Sequence, residues 1–284
     1  MFTTRLEPAA AIDEPPLTRD HVVRVLHSAL ERTAGLRRVE RAGIVKADKV
    51  RRRLRRSLNS TGRLRWGRLF GGNSLPLKLE IAAGTGDWVA AQARTEAGVA
   101  NWAALELRHD RTYAIFSRMV LGELPNLAVL GGDAAAIVRR HLSRASVAHA
   151  FINFPEPPSG WEGIDDASNA LHLLTPAFFA DLHAAIEPGG RLTLLSDNGR
   201  YCRALARTLG DVVGVNGGSY VSEILEGTPH ETIGRVRLYL GIPGAAAGHA
   251  QYEPSYFDRL WEYREETERF YMVLRVNRPN VPPL

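Results

Sequence analysis

The sequence predicts an α/β fold: a parallel sheet covered by helices on both faces, closed by one antiparallel strand and preceded by a basic helical extension. Three observations carry this. After residue 76, apolar runs of strand length alternate with stretches of helical periodicity. The first of those runs, LKLEI, passes through a glycine turn directly into a helical stretch. Before residue 76, Arg and Lys crowd around thin apolar stripes instead.

Taken in order, residues 1–17 are rich in Pro and acids and read as a flexible lead. A helix is expected over 18–34, where Val22, Leu26 and Leu30 recur every four residues and Val23 and Ala29 widen the stripe. A second helix is expected over 45–58, with Ala47, Val50, Leu54 and Leu58 on one side and arginines around the rest. Gly62, Gly67, Gly71, Gly72 and Pro76 make 59–76 a linker by composition. Residues 1–75 are therefore read as an extension and 76–284 as the main domain. Within it, strands are expected at 77–82, 102–107, 127–130, 147–154 and 191–195. Helices are expected at 87–97, 110–121, 134–142, 175–186 and 199–209. The Gly-rich stretch 210–250 carries no clear pattern, and FYMVLRV at 270–276 reads as the closing strand.

Charge is unevenly divided. The 284 residues sum to +5. Between Arg37 and Arg68 stand 13 Arg/Lys and two acids, Glu40 and Asp48; that segment is +11 and the rest of the chain is −6. Such a segment can grip nucleic acid, pack its narrow stripe on the body, or touch an anionic membrane surface. A 45% hydrophobic composition excludes a fully disordered or collagen-like chain. No run approaches 18 apolar residues, so no membrane span is expected, and the acid-bearing N-terminus is not a secretory signal. The single Cys202 excludes an internal disulfide and fits the reducing cytoplasm. The nine His lack metal-ligand spacing, so no structural metal is expected.

Chemistry concentrates at the ends of the expected strands. In LKLEIAAGTGDW, Gly84 and Gly86 allow a tight turn and close approach of the backbone to a ligand. Glu106 lies 20 residues past Gly86 at the end of the second strand, where an acid receives ribose hydroxyls. A dinucleotide fingerprint would need a third glycine where Val89 stands. Glu80 and Asp87 flank the turn instead, and an acid-lined pocket suits a cationic cofactor such as S-adenosyl-L-methionine. Asp133, after the third strand, is placed to meet the adenine. Glu156 stands at the carboxyl end of the fourth, the edge where open α/β sheets bind ligands.

From 77 to 263 the pieces LEIAAGTGDW, ALELR, VLGGDA, FINFPEPP, LLTPAFFADLHAAIEPGGRLTLLSD and SYFDRLWEY follow one another. In that order they resemble the bacterial tRNA (guanine-N7)-methyltransferase family, Rossmann-like class I enzymes dependent on S-adenosylmethionine. The resemblance implies that Glu80, Glu106, Asp133 and Glu156 meet the cofactor. It also implies that Glu156 occupies the catalytic acid position, that Asp197 faces the target base, and that Ser255 with Asp258 clamps the substrate. Ala82 stands where the family usually has Gly, and Glu156 where it has Asp. The basic run that follows the family's Pro-Asp-Pro-Trp is replaced here by PSGWEGIDDASNALH, which contains no Lys or Arg. An acidic loop of this kind repels phosphates.

The expected activity is methylation of a guanine N7-type nitrogen in RNA, with the basic extension supplying the phosphate contacts. Two alternatives remain at this level: an N-methyltransferase of a small heteroaromatic molecule, or a catalytically silent RNA-binding subunit. Each site residue also has a structural reading. Asp133 and Glu156 could be solvated strand-end acids, Asp197 a helix N-cap, and Ser255 and Asp258 surface polar groups.

Overall fold

The computed structural model describes residues 28–34, 57–158, 172–212, 218–250 and 268–278. The five expected parallel strands are present as β2 (Leu77–Ile81), β3 (Asn101–Glu106), β4 (Leu127–Gly131), β5 (Val147–Asn153) and β6 (Ile186–Ser196). The closing strand, β10 (Phe270–Asn277), pairs antiparallel with β6, Met272 opposite Leu194. A short β1 (Thr33–Ala34) joins β4, while β7 (Ser219–Ser222), β8 (Glu231–Ile233) and β9 (Val236–Leu240) complete a ten-stranded sheet. Its order is β1-β4-β3-β2-β5-β6-β10-β9-β8, with β7 also on β10. Strand order reverses on either side of β2, which opens a crevice at the carboxyl ends of β2 and β5.

Helices cover both faces. Besides the short α1 (Trp66–Leu69), they are α2 (Asp87–Thr95), α3 (His109–Leu121), α4 (Ala134–His141), α5 (Pro176–Ala185) and α6 (Gly199–Asp211). Alternate strand residues point to opposite faces. Leu79, Ile81, Leu105, Ile152 and Leu194 pack with α4, α5 and α6. Trp102, Ala104, Val129 and Phe151 pack with α2 and α3. The central strands are apolar almost throughout because both faces are covered.

Two expectations need correction. The helix predicted over 18–34 is helical at 28–31 but gives way to β1 at Thr33. The cause is Arg32, a buried residue whose Nε and Nη2 donate to the carbonyls of Leu127 and Leu124 at 3.0 and 3.3 Å. Those bonds draw the backbone alongside β4, and Val129 N–H then donates to Arg32 O. The stretch 59–76 is not a free linker. Leu58 bridges Leu64, and Leu64, Leu69 and Phe70 enter the core. The glycines mark its turns correctly, but three large apolar side chains between them are enough to hold it on the body. Of the helix predicted over 45–58, residue 57 is helical and Leu58 is extended; 45–56 lie outside the described residues. Finally, 210–250 contains three strands whose apolar residues, Tyr220, Val236, Leu238 and Tyr239, are buried.

Candidate active site

β2 ends at the crevice, and the chain reverses through Ala82–Gly86 into α2. Three residues of this turn are left-handed: Ala82 (φ +59°), Gly84 (φ +57°) and Gly86 (φ +78°). A Cβ on Gly86 would lie 2.6 Å from Ile115 Cγ1 on α3, so glycine there is required by space as well as by φ. Ala82 adopts the same strained region with a side chain.

Glu106 holds the turn. Its Oε2 accepts from Gly84 N–H and its Oε1 from Arg108 N–H, both at 2.9 Å. A carboxylate oxygen has lone pairs to spare beyond one such bond, so Glu106 can cradle the backbone and still accept hydroxyl donors. Glu80 is buried beneath the turn. Asn153 Nδ2 at the end of β5 donates to Glu80 Oε1 at 2.9 Å. Glu80 Oε2 and Asn153 Oδ1 are buried with no hydrogen-bond partner. Burial pushes the Glu80 carboxyl up to about 8, against the pull of the Asn153 amide; the charges of Glu106 and Asp87 add to the rise, and the Val89 N–H facing the carboxyl opposes it. A buried carboxyl beside a buried amide oxygen, its Oε2 and the amide Oδ1 without a close hydrogen-bond partner, forms a place for a ligand that brings N–H groups or positive charge.

Asp87 also flanks the turn, but Arg118 from α3 pairs with it at 2.7 Å, so its charge is balanced within the protein. Asp133 follows β4 and is the N-cap of α4, accepting from Ala136 N–H at 2.7 Å. It is exposed, and its outer oxygen remains at the sheet edge. Glu156 lies three residues past β5, exposed, beyond a left-handed Phe154 (φ +49°) whose N–H donates to Leu195 O at 2.7 Å. Arg108, held above its ordinary pKa first by its hydrogen bond to Asp110, also feels Glu106 and Glu156. Asp197 follows β6 and is half-buried. It does not cap α6. Asn198 does, accepting from Tyr201 N–H at 2.9 Å.

Glu106 is thus hydrogen-bonded to the glycine turn that holds Gly84 and Gly86, with Glu80 bonded to Asn153 beneath it, and Asp133, Glu156 and Asp197 stand at the same edge after β4, β5 and β6. Ser255 and Asp258 lie outside the described residues, as does most of the acidic loop. Asn153 and Arg118 escaped the sequence reading. Asn153 could have been found as the one polar side chain ending the apolar run AFIN; Arg118 carries no local signal.

A family model described as "Putative methyltransferase" matches residues 74–215, half of the chain. The chain belongs to this methyltransferase family. Among its curated relatives, the tRNA (guanine-N(7)-)-methyltransferase of Chlamydia trachomatis is 35% identical over 136 residues, 48% of this chain and 58% of that protein. The enzyme of the same name from Rubrobacter xylanophilus is 27% identical over 135 residues, 47% of this chain and 57% of its own. The chain thus spans less than three fifths of the length of these two relatives. The solved structure of 16S rRNA methyltransferase KamB aligns over 81% of this chain and 94% of its own, with 13% identity and a TM-score of 0.48. Among the described residues no helix is long and apolar enough to cross a membrane, and no group of three His, Cys, Asp or Glu could hold a metal.

Proposed function

We propose that this family member transfers a methyl group from S-adenosylmethionine to N7 of a guanine in RNA, a transfer RNA or a molecule like it. The observation that carries the cofactor assignment is the buried Glu80 carboxyl beside the glycine turn, whose Oε2 and the neighbouring Asn153 Oδ1 have no close hydrogen-bond partner. An α-ammonium group would supply the missing donors and the missing charge, so the residues present fit the cofactor. In this reading Glu80 holds the ammonium, and Gly84 and Gly86 let the backbone approach. Glu106 receives the ribose hydroxyls, and Asp133 and Glu156 border the rest of the cofactor. The names of the relatives support guanine N7 as the acceptor.

Bound in this way, S-adenosylmethionine supplies an electrophilic methyl on a sulfonium centre. The N7 lone pair would form the new N–C bond as the sulfonium S–C bond breaks, its electron pair staying on sulfur. N7 carries no proton, so no general base is required. The protein's task is alignment, with N7 about 3–3.5 Å from the methyl carbon. Asp197, with Ser255 and Asp258, accepts the ring and amino N–H donors of the base and so aims the nitrogen. Glu156 faces the positive charge that develops on the purine. Residues 76–284 carry this chemistry, and 1–75 form the basic extension.

The test is transfer of labelled methyl to unfractionated tRNA, followed by digestion to nucleosides. Label in 7-methylguanosine supports the reading. Label elsewhere, or on added purines and azoles instead, overturns the acceptor assignment; label nowhere overturns the activity.

A further inference from the structure

The crevice described above lies at the carboxyl ends of the parallel strands. A second feature lies at their opposite ends. α4 leaves the crevice at Asp133 and delivers the chain to the start of β5, so its last turn and the loop 142–146 stand at the amino-terminal edge of the sheet. The chain that leads into β2 is fastened there. Leu64 N–H donates to His141 O at 2.7 Å, and Arg63 Nη1 donates to the carbonyls of Arg139 and Leu142 at 2.8 and 2.5 Å. His141 Nδ1 lies 2.8 Å from Gly62 O. These bonds set the segment that carries Arg63 and Arg65 beside the one that carries Arg139, Arg140 and Arg144.

The cluster is strongly positive. The side chains of Arg65, Arg140 and Arg144 are exposed and have no ion pair among the described residues. Residues 57–76 contain no acid, and neither do residues 134–146. The neighbouring α5–β6 corner supplies Asp181, which meets Arg139 at 3.4 Å with most of that arginine still in solvent, and the exposed Glu187. Arg278, whose Nη2 donates to the carbonyls of His183 and Ile186, has its pKa lowered by burial and then by the charge of Arg144. The charge of Arg144 thus reaches Arg278 at this edge.

We propose that this amino-terminal edge, built from Arg63, Arg65, Arg139, Arg140 and Arg144, is a phosphate-binding surface for the RNA whose base enters the crevice at the other edge. The inference rests on the RNA reading above and deepens it. β5 spans seven residues at about 3.3 Å each, so the two edges stand roughly 20 Å apart. Stacked nucleotides advance about 3.4 Å each along a strand. The substrate therefore carries phosphates on the order of six nucleotides away from the methylated guanine and bends around α4 to present them. A nucleotide or a very short oligomer cannot do so. This also suits a crevice edge that carries the acids Glu106, Asp133 and Glu156: the phosphates are held on the far side of the domain.

The experiment compares the full-length chain with a triple variant, R65Q/R140Q/R144Q, using filter binding of unfractionated tRNA between 0.05 and 0.4 M NaCl. Each lost phosphate contact lowers the slope of log K against log salt by about 0.7–0.9, so the variant's slope falls by about two to three. A second variant, R65K/R140K/R144K, keeps the charges and restores the slope; this separates phosphate binding from a packing role. Equal slopes for the parent and the Gln variant overturn the surface and leave the methyl-transfer reading standing. A parent chain with no affinity for tRNA overturns both, and if an acidic protein is captured in its place the surface belongs to that partner class.

Discussion

The buried Glu80 makes cofactor binding depend on pH in a direction that ordinary carboxylates do not share. Its carboxyl titrates near 8 in the folded protein because burial disfavours the charge. About one molecule in a hundred is ionised there at pH 6 and about one in ten at pH 7. An ammonium group pairs with the ionised form, and an α-amino group stays largely protonated across this range. Affinity for S-adenosylmethionine should therefore rise about tenfold from pH 6 to pH 7, equal to ~1.4 kcal/mol. Close to one proton should be released per ligand bound at pH 7. Titration calorimetry at both pH values, in two buffers of different ionisation enthalpy, measures affinity and proton release together. Glu80→Gln should bind more weakly, without the pH dependence and without proton release. An affinity that is the same at pH 6 and 7, or a Glu80→Gln variant that keeps the tenfold rise, would refute the assignment of Glu80 to the cation. The free protein gives a second readout. A raised acid pKa contributes stability that is fully present below the ordinary value of 4.5 and is lost as pH rises through about 8. Glu80→Gln should accordingly be the more stable protein at pH 8 and nearly equal to the parent at pH 4.5.

Other substitutions test the cradle and its caps. Gly86→Ala places a methyl 2.6 Å from Ile115 Cγ1 at a left-handed φ, and denaturant titration should show a loss of about 1–3 kcal/mol. Added Ile115→Ala should worsen it by less than Ile115→Ala alone costs the parent, and strict additivity would deny the clash. Ala82→Gly relieves a φ of +59° and should raise stability by up to about 1 kcal/mol, seen as a thermal midpoint a few degrees higher. Asp133→Ala and Asn198→Ala should each lose about 1 kcal/mol as N-caps. Asp197→Ala should lose almost none while reducing methyl transfer, and equal losses at Asp197 and Asn198 would contradict the capping assignment.

Which parts of this molecule were legible from sequence follows from the range of the forces involved. β2 through β5 were expected within about one residue of their observed ends, since apolar runs bounded by polar turns are a local signal. β6 begins at Ile186 rather than 191, because Ile186 pairs with Val147 ahead of an irregularity at EPGG, where Gly189 is left-handed (φ +80°); the local sequence shows the turn but not that pairing. The cradle could be anticipated from Gly84, Gly86 and Glu106, whose spacing is a backbone requirement. Its chemistry could not. The sequence places Glu80 beside the turn as a cofactor-meeting acid; only the packed structure removes it from water and raises its pKa. Asp133 and Asn198 show the same limit. Both are polar residues after strands, and which neighbour caps a helix depends on the exact residue at which the helix begins.

The basic segment divides most clearly between the two. By itself the sequence determined that the protein is a helix-covered parallel sheet with an acid-flanked glycine turn, and that its positive charge is concentrated before residue 69. Hydrophobic periodicity, glycine spacing and charge counts are properties of the chain read along its length. The tertiary structure decided where that charge goes. Leu64, Leu69 and Phe70 bury in the core and Arg63 bonds to the end of α4, which sets part of the segment beside Arg139, Arg140 and Arg144 and opposite the crevice. Those arginines are about 75 residues apart in sequence, and only burial and hydrogen bonding across that distance make them one surface.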